Sequence, residues 1–232
     1  MAKVDVVCRY CHKAEKVKGH GKGRTGHPRY HCYACHKTFQ LIYIYQACHP
    51  GMKEQIIDMA MNNADVRDTA RVLKVGINTV IRTFKKLTPR QVTTLPIVGN
   101  NIQIICEIDE QGSLVGNKKN QRWLGYAWEP NMKRIVAHVF GERSRKTLKK
   151  LRALLSPFNI QFYCTDNYAV YDCLPEEKHL TGKKFTQRIE RTHLTLRIRI
   201  KRLNRKTISY SKSKEMHDKV IETFIEREYY FF

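Results

Sequence analysis

Acidic side chains are scarce in this 232-residue chain: 21 Asp and Glu stand against 43 Lys and Arg, a formal net charge of +22. Such an excess repels the compact state from itself, and a polyanionic partner is its usual explanation. Phosphate neutralisation by these side chains would release counterions and make binding strongly salt-dependent. Long hydrophobic runs are also missing. The least polar stretches, Thr38–Ile44 and Val98–Ile105, fall far short of the roughly 20 residues of a membrane span. No basic amphipathic helix presents Trp or Phe, so a membrane surface is a poor candidate for the polyanion. Met1 to Tyr10 carries charges and no apolar run, which predicts no secretory leader and a cytoplasmic protein, nucleoid-associated when bound to DNA. Repeats at solenoid spacing are absent. Disorder throughout is excluded by composition, since 42 % of residues are hydrophobic and 10 % aromatic.

Eight cysteines are present, and in a reducing compartment they point to metal ligation or buried thiols rather than disulfides. Cys8-Arg9-Tyr10-Cys11 and Cys32-Tyr33-Ala34-Cys35 are two C-x-x-C knuckles twenty residues apart, with Gly19, Gly21, Gly23 and Gly26 in the loop between. Two such turns can aim four thiolates at one point, the ligand set tetrahedral Zn²⁺ prefers, and four protein ligands make the site structural. A rival reading exists, because His12 and His36 follow the knuckles and give the c-type haem pattern C-x-x-C-H. Haem attachment needs export and an apolar pocket, neither of which this segment offers. The two histidines could also replace a cysteine ligand, or face solvent or DNA. Cys106 and Cys164 lie on predicted strands and read as core residues.

Helical periodicity follows. Lys53–Ala60 and Val66–Leu73 read as helices, the second capped by Asp65, and Lys74-Val75-Gly76 as a tight turn into a third helix from Ile77 to about Lys86. A short helix, a Gly-containing turn and a basic helix make a helix-turn-helix whose last helix would enter the major groove. Asn78, Thr79 and Arg82 are the candidate base readers there. Lys85 and Lys86 suit phosphate, which positions without specifying.

Beyond breakers at Thr88-Pro89 and Pro96 to Asn101, strands precede helices. Ile102–Asp109 and Ile160–Asp166 read as apolar strands that each end in a carboxylate, with strands Arg122–Trp128 and Arg134–Phe140 between them. Ser144 can cap a helix to Leu155, and Thr186 a long helix from Gln187 to about Leu203. If the acid-ended strands are neighbours, Asp109 and Asp166 converge, and Glu190 on the long helix can swing over them. Three acids round one point would repel without cations, and two Mg²⁺ or Mn²⁺ ions would suit them as hard ions with oxygen ligands. Read singly, the acids are better explained as strand-end turn residues, for Asp109 and Asp166, and a solvated helix charge, for Glu190. The setting favours a site: Lys183 to Arg205 is densely basic, Glu190 is its one acid, and Arg197 follows two helical turns later on the same face. Arg188 and Arg191 in that run are candidate DNA contacts. Asp172, Glu176 and Glu177 read as loop charges. Glu107 shares the face of Asp109 and is its closest rival.

Several runs together carry a family resemblance. They are the four paired cysteines, Gln55 to Asn62, Val75 to Val80, Gln121 to Leu124, Val136 to Arg143 with its Gly141-Glu142-Arg143, Thr186 to Arg191, and His217 to Ile221. From about Val6 to about Ile225 the chain resembles the transposase of the insertion sequence one family. That resemblance implies an RNase H-like α/β catalytic domain with a DDE triad, carried here by Asp109, Asp166 and Glu190, and a basic companion, Arg197. It implies that the zinc ribbon and helix-turn-helix recognise the terminal inverted repeats of the element, with target DNA as the second partner and a homo-oligomer as the acting form. One departure is His193, where the family usually has Asn three residues after the Glu. Members are often made from two reading frames, and both parts are joined here. The expected organisation is multidomain: a zinc ribbon over 1–47, an all-α helix-turn-helix over 48–90, a linker over 91–101 and the catalytic domain over 102–232. The expected activity is metal-dependent strand cleavage and strand transfer. The alternatives are a non-catalytic DNA-binding regulator of transposition and an RNase H-like nuclease or resolvase.

Overall fold

The computed structural model describes residues 5–94, 103–204 and 211–230. Its first part is a three-stranded antiparallel sheet of β1 (Val17–Lys22), β2 (Pro28–Cys32) and β3 (Lys37–Gln40), in that order. The interior of this sheet amounts to Cys8, Cys32 and Phe39, flanked by partly buried groups such as Val17 and Tyr30. Burial on that scale does not hold a sheet, and units this small ordinarily need a metal or a cross-link.

Three helices follow, α1 (Met52–Met61), α2 (Val66–Val72) and α3 (Ile77–Lys85). Asp65 caps α2 as expected, its Oδ1 accepting the N–H groups of Arg67 at 2.7 Å and Asp68 at 2.8 Å. The turn into α3 falls at Lys74-Val75-Gly76 as the sequence reading has it. Its left-handed residue is Lys74 (φ 51°), while Gly76 is extended at the N-cap of α3. Gly76 instead allows a close approach: its N–H donates to the Tyr45 hydroxyl, and a Cβ there would lie 3.4 Å from that oxygen.

The remaining strands form one five-stranded sheet, with β4 (Ile104–Val115), β5 (Asn117–Glu129), β6 (Arg134–Gly141), β7 (Ile160–Thr165) and β8 (His179–Thr181) in the order β6-β5-β4-β7-β8. The strands β4, β5 and β6 are antiparallel, whereas β7 runs parallel to β4, and β8 to β7. Helix α4 (Arg145–Leu155) buries Leu148, Leu151 and Leu155 against Ile104, Cys106 and Ile108 on one face. Helices α5 (Gln187–Arg199) and α6 (Lys214–Tyr229) cover the other, where Ile189, Leu196, Ile221 and Phe224 meet Leu124, Tyr126 and Trp128. Alternation therefore sends even positions of β4 to α4 and odd positions to α5.

Several sequence expectations need correction. Asp109 does not end its strand: β4 runs on to Val115 and turns at Gly116 (φ 79°) into a β5 that begins at Asn117. Gln111 and Ser113 look like loop residues but are fully buried. The Gln111 side chain donates to the His193 carbonyl (3.2 Å), and the Ser113 hydroxyl donates to the Arg122 carbonyl (2.9 Å). Neither Ser144 nor Thr186 caps a helix through its side chain, although both stand at N-cap positions. The Thr186 hydroxyl turns back to the Lys183 carbonyl. Helix α5 stops at Arg199 rather than Leu203. Asn63, just past the end of α1, donates to the Ile198 carbonyl (3.3 Å) and accepts the Lys201 N–H (2.7 Å), and Ile200 is extended. Finally, the start of the expected linker is sheet edge: Thr93 N–H donates to Val136 O and His138 N–H to Gln91 O. The rest of that linker, 95–101, lies outside the described residues.

The helix-turn-helix is docked on the sheet domain. Val220 of α6 completes the core of Met52, Ile56, Val80 and Phe84. Arg227 pairs with Asp58 (2.6 Å), and Arg90 with Glu226 (2.7 Å). No helix among the described residues is long and apolar enough to cross a membrane.

Candidate functional site

The ribbon gathers its four thiols. Cys8 Sγ lies 3.6 Å from Cys35 Sγ, and Cys11 Sγ lies 3.6 Å from Cys32 Sγ. All four sulfurs fall within 4.8 Å of one another. A tetrahedron with Zn–S bonds of about 2.3 Å has edges of roughly 3.8 Å, so the donor set fits a tetrahedral, thiolate-binding ion. Burial raises the Cys8 thiol, but the N–H groups of Tyr10 and Cys11 outweigh it and bring the pKa down to about 6. His12 and His36 are exposed and stand outside the sulfur cluster. Both have left-handed backbones (φ 57° and 56°), and the His12 N–H closes the knuckle on the Cys8 carbonyl at 2.9 Å. The repeated C-x-x-C-H thus reflects a turn position, not a ligand. Cys106 and Cys164 are buried core residues, as expected.

On α3, Asn78, Arg82 and Lys85 are exposed at helical spacing, and Lys86 is exposed just beyond. Thr79 differs from its neighbours. It is half-buried, and its hydroxyl lies 2.9 Å from that of Tyr45. Any base contact from Thr79 would share that hydroxyl.

The carboxylates assemble through sheet register. Cys106 pairs with Tyr163 and Glu107 with Cys164; two residues further, the same register sets Asp109 across from Asp166, just past the end of β7. The odd positions of β4 then form a ladder along α5. Glu107 Oε2 accepts the Ile189 N–H at 2.7 Å, Asp109 Oδ2 lies 3.6 Å from His193 Nδ1, and Gln111 reaches the His193 carbonyl. Glu107 is therefore the cap that Thr186 is not, supplied from a strand 82 residues away. Its burial and this bond give it a structural task, which separates it from Asp109.

Asp109 is pushed up to about 7, first by burial and then by the negative charges of Glu110 and Asp166, against the Glu110 N–H and Arg143. Asp166 is partly exposed. Its Oδ1 accepts the Tyr168 N–H (3.1 Å), and its Oδ2 lies 3.9 Å from Arg143 Nη2. Glu190 is exposed in the first turn of α5, next to the capped Ile189 and one turn before His193. The three acids do not close on a point: among the described residues the thiols are a group whose ligand atoms all lie within 4.8 Å, and no trio of acids is. Arg197 is half-buried, and its Nε has no hydrogen-bond partner among the described residues. His193 is held down to about 4, by burial first and then by the Arg197 charge. Arg188 and Arg191 are exposed on the same helix. Asp172, Glu176 and Glu177 are exposed and apart from this cluster.

Two members of the cluster have no role assigned by the sequence, Glu110 being visible there only as a neighbour of Asp109. Glu110 points to the opposite face of β4 from Asp109 yet shares its field, and Arg143 joins both acids, with Nε 3.3 Å from Glu110 Oε2. The signal for Arg143 is the Gly141-Glu142-Arg143 run, which carries resemblance but no readable role.

Comparison with known proteins identifies the family. A family model described as IS1 transposase matches residues 103–231, and one described as InsA C-terminal domain, a helix-turn-helix model, matches residues 43–87. The insertion element iso-IS1n protein InsB of Shigella dysenteriae is 53 % identical over 129 residues, covering 55 % of this chain and 98 % of that protein. The insertion element IS1 4 protein InsB of Escherichia coli K12 is 46 % identical over 148 residues, covering 63 % of this chain and 89 % of its own length. Among solved structures, a chain of a simian T-cell lymphotropic virus intasome in complex with PP2A regulatory subunit B56 gamma is similar over 55 % of this chain and 54 % of that one. Its 14 % identity and TM-score of 0.32 are too slight to argue from. With the family model spanning the sheet domain and a second one the helices before it, this chain belongs to the IS1 transposase family.

Proposed function

We propose that this DDE transposase binds the terminal inverted repeats of its element through residues 1–90 and cuts and joins DNA strands at Asp109, Asp166 and Glu190. The observation that carries the reading is the parallel pairing of β4 with β7, whose register sets Asp109 opposite Asp166. A sheet with three antiparallel strands followed by two parallel ones, helices on both faces, supports an RNase H-like domain over 102–232. The ribbon over 1–47, with Zn²⁺ on Cys8, Cys11, Cys32 and Cys35, and the helix-turn-helix over 48–90 make up the DNA-binding part. Residues 91–101 link them to the sheet domain. A homo-oligomer across paired ends is the acting form.

Asp109 and Asp166 would hold two Mg²⁺ or Mn²⁺ ions, with Glu190 joining from the rim. The chemistry of the donors fits, because Asp109 is a buried acid among acids, which a hard cation relieves. Bound there, such ions make a water or 3′-hydroxyl nucleophilic and stabilise the charge on the leaving oxygen. In the first step water adds to the phosphorus at the element end and the bond to the 3′ oxygen breaks, leaving a 3′-hydroxyl. In the second that hydroxyl adds to a target phosphodiester, whose own 3′ oxygen departs with a proton. Glu107 fixes the first turn of α5, and with it Glu190, against β4. Arg197, Arg188 and Arg191 hold the backbone, while Asn78, Thr79, Arg82, Lys85 and Lys86 engage the repeat.

Labelled element ends incubated with Mg²⁺ test this. Wild type should cut and join them, whereas Asp109→Asn and Glu190→Gln should bind the ends within about threefold of wild type and lose cleavage by about 1,000-fold or more. Cleavage retained in both variants would remove the site. Binding without cleavage by wild type would mark a regulator, and cleavage without joining a nuclease.

A further inference from the structure

The run Gly141-Glu142-Arg143 has a structural explanation that leads to a function. Gly141 ends β6 opposite Trp123 of β5. A Cβ at Gly141 would stand 2.3 Å from Thr147 Oγ1 and 2.8 Å from its Cγ2, so only glycine lets the first turn of α4 come this close. The tight junction returns the chain over Trp123 and delivers Arg143 to the acids. There its guanidinium lies 3.9 Å above the Tyr168 ring and 5.1 Å from that of Trp123. Stacking on aromatic faces orients a planar cation at little entropic cost. Its Nε donates to Glu110 (3.3 Å), and Nη2 lies 3.9 Å from Asp166.

This is not the setting of an ordinary structural ion pair. One third of the Arg143 side chain (34 %) remains exposed, at the mouth of the acid cluster, against 10 % for its partner Glu110. A guanidinium carries five N–H donors in a rigid fork, and one bond at 3.3 Å with one contact at 3.9 Å leaves donor capacity for a second anion. Any phosphodiester brought to Asp109 and Asp166 arrives at this group.

We propose that Arg143 is a catalytic residue that grips a non-bridging oxygen of the DNA phosphate at the acid cluster. Glu110, Trp123 and Tyr168 are the positioning residues that aim it. The proposal rests on the strand-cleaving reading above and adds to it a second cation, on the opposite side of the acids from α5. The ligand is a phosphodiester oxygen, not a base: the Tyr168 and Trp123 rings are already engaged by the guanidinium itself.

The test is single-turnover cleavage of labelled element ends in Mg²⁺ by wild type, Arg143→Ala and Arg143→Lys. A parallel series of ends carries one neutral methylphosphonate at the scissile phosphate or either neighbour. Arg143→Ala should keep the melting temperature within about 3 °C and end binding within about threefold, yet cleave about 100-fold more slowly. Arg143→Lys should recover only part of that loss, because it restores charge without the fork. At one of the three positions the methylphosphonate should slow wild type and leave Arg143→Ala no slower than it already is. The proposal is overturned if Arg143→Ala cleaves at the wild-type rate, or if every methylphosphonate slows variant and wild type by the same factor. Should Arg143→Ala fail to fold, Arg143→Lys read against the same series decides on the same criterion. Wild type that does not cleave the ends at all overturns the strand-cleaving reading itself, a result visible before any variant is compared.

Discussion

The chain carries two clusters of metal-type ligands, and they are built in opposite ways. The thiols come from two short knuckles, each a local turn closed by its own backbone, and they meet within 4.8 Å. The acids come from the middle of β4, the end of β7 and the first turn of α5, and they do not meet within that distance. Four sulfurs inside a miniature core sit together because backbone N–H groups and neighbouring thiols hydrogen-bond to them. Carboxylates at pH 7 repel and resist burial, and Asp109, pushed up to about 7 by burial first and then by the charges of Glu110 and Asp166, records both costs. A structural ligand set can be assembled in advance by local geometry. Acids drawn from two strands and a helix are instead held apart by the sheet and helix that carry them.

The largest test of this contrast is a chelator or the loss of one thiol. Chelation or Cys32→Ser should unfold the ribbon, since its interior is otherwise Cys8, Cys32 and Phe39, and weaken end binding by on the order of tenfold. The sheet domain should keep its own thermal transition. A ribbon whose near-ultraviolet dichroism survives complete metal removal would erase the distinction.

A smaller effect should come from the scaffold of the acids. Glu107→Ala leaves the Ile189 N–H buried without an acceptor and should destabilise the sheet domain by about 1–3 kcal/mol. It should also slow cleavage by about tenfold through displacement of Glu190 and His193. Glu107→Gln keeps an acceptor and should recover most of both. Slowed cleavage at undiminished stability in the alanine variant would place Glu107 among the reacting groups instead.

The buried histidines sharpen the contrast through pH. His138 lies fully buried beside the Tyr230 hydroxyl, and burial lowers it to about 3. A folded pKa below the unfolded value of about 6.5 gives stability that is complete above pH 6.5 and is lost as pH falls toward 3. The stability advantage of wild type over His138→Phe should therefore shrink by about 1–2 kcal/mol between pH 7.5 and pH 5. Denaturant titrations at the two pH values measure it, and an advantage independent of pH would mean that the imidazole takes up a proton in the fold as readily as in the unfolded chain. The smallest expected effect is Asp65→Ala, a local cap on α2 whose loss should lower stability by about 1 kcal/mol. Unlike Glu107→Ala, it should leave the cleavage rate of bound ends unchanged.

Legibility followed the same division. Knuckle spacing, the Asp65 cap and the periodicity of the three helices are local, and all could be read along the chain. Asp109 and Asp166 were visible as acids on apolar strands, but reading Asp109 as a strand end was mistaken because Gly112, Gly116 and the polar run from Asn117 resemble a loop. Only burial against α5 and α6 gives Gln111 and Ser113 the partners that let β4 continue. Glu107 could be read as a rival to Asp109 because alternation puts both on one face. Nothing local shows that its partner is the Ile189 N–H. Helix α5 is cut short by Asn63, which sequence periodicity at Ile200 and Leu203 cannot register.

The amino-acid sequence by itself determined the paired cysteines that meet in the ribbon, the helix-turn-helix and the strongly basic charge. These rest on side-chain chemistry and on local spacings within each knuckle and each helix. Tertiary structure alone decided which acids share a field, that a strand carboxylate caps α5, and that Arg143 stands among the carboxylates. Each of those depends on the register of β4 with β7 and on the seating of α4 and α5. Register is a property of the whole buried face, fixed when every apolar side chain on it finds cover at once.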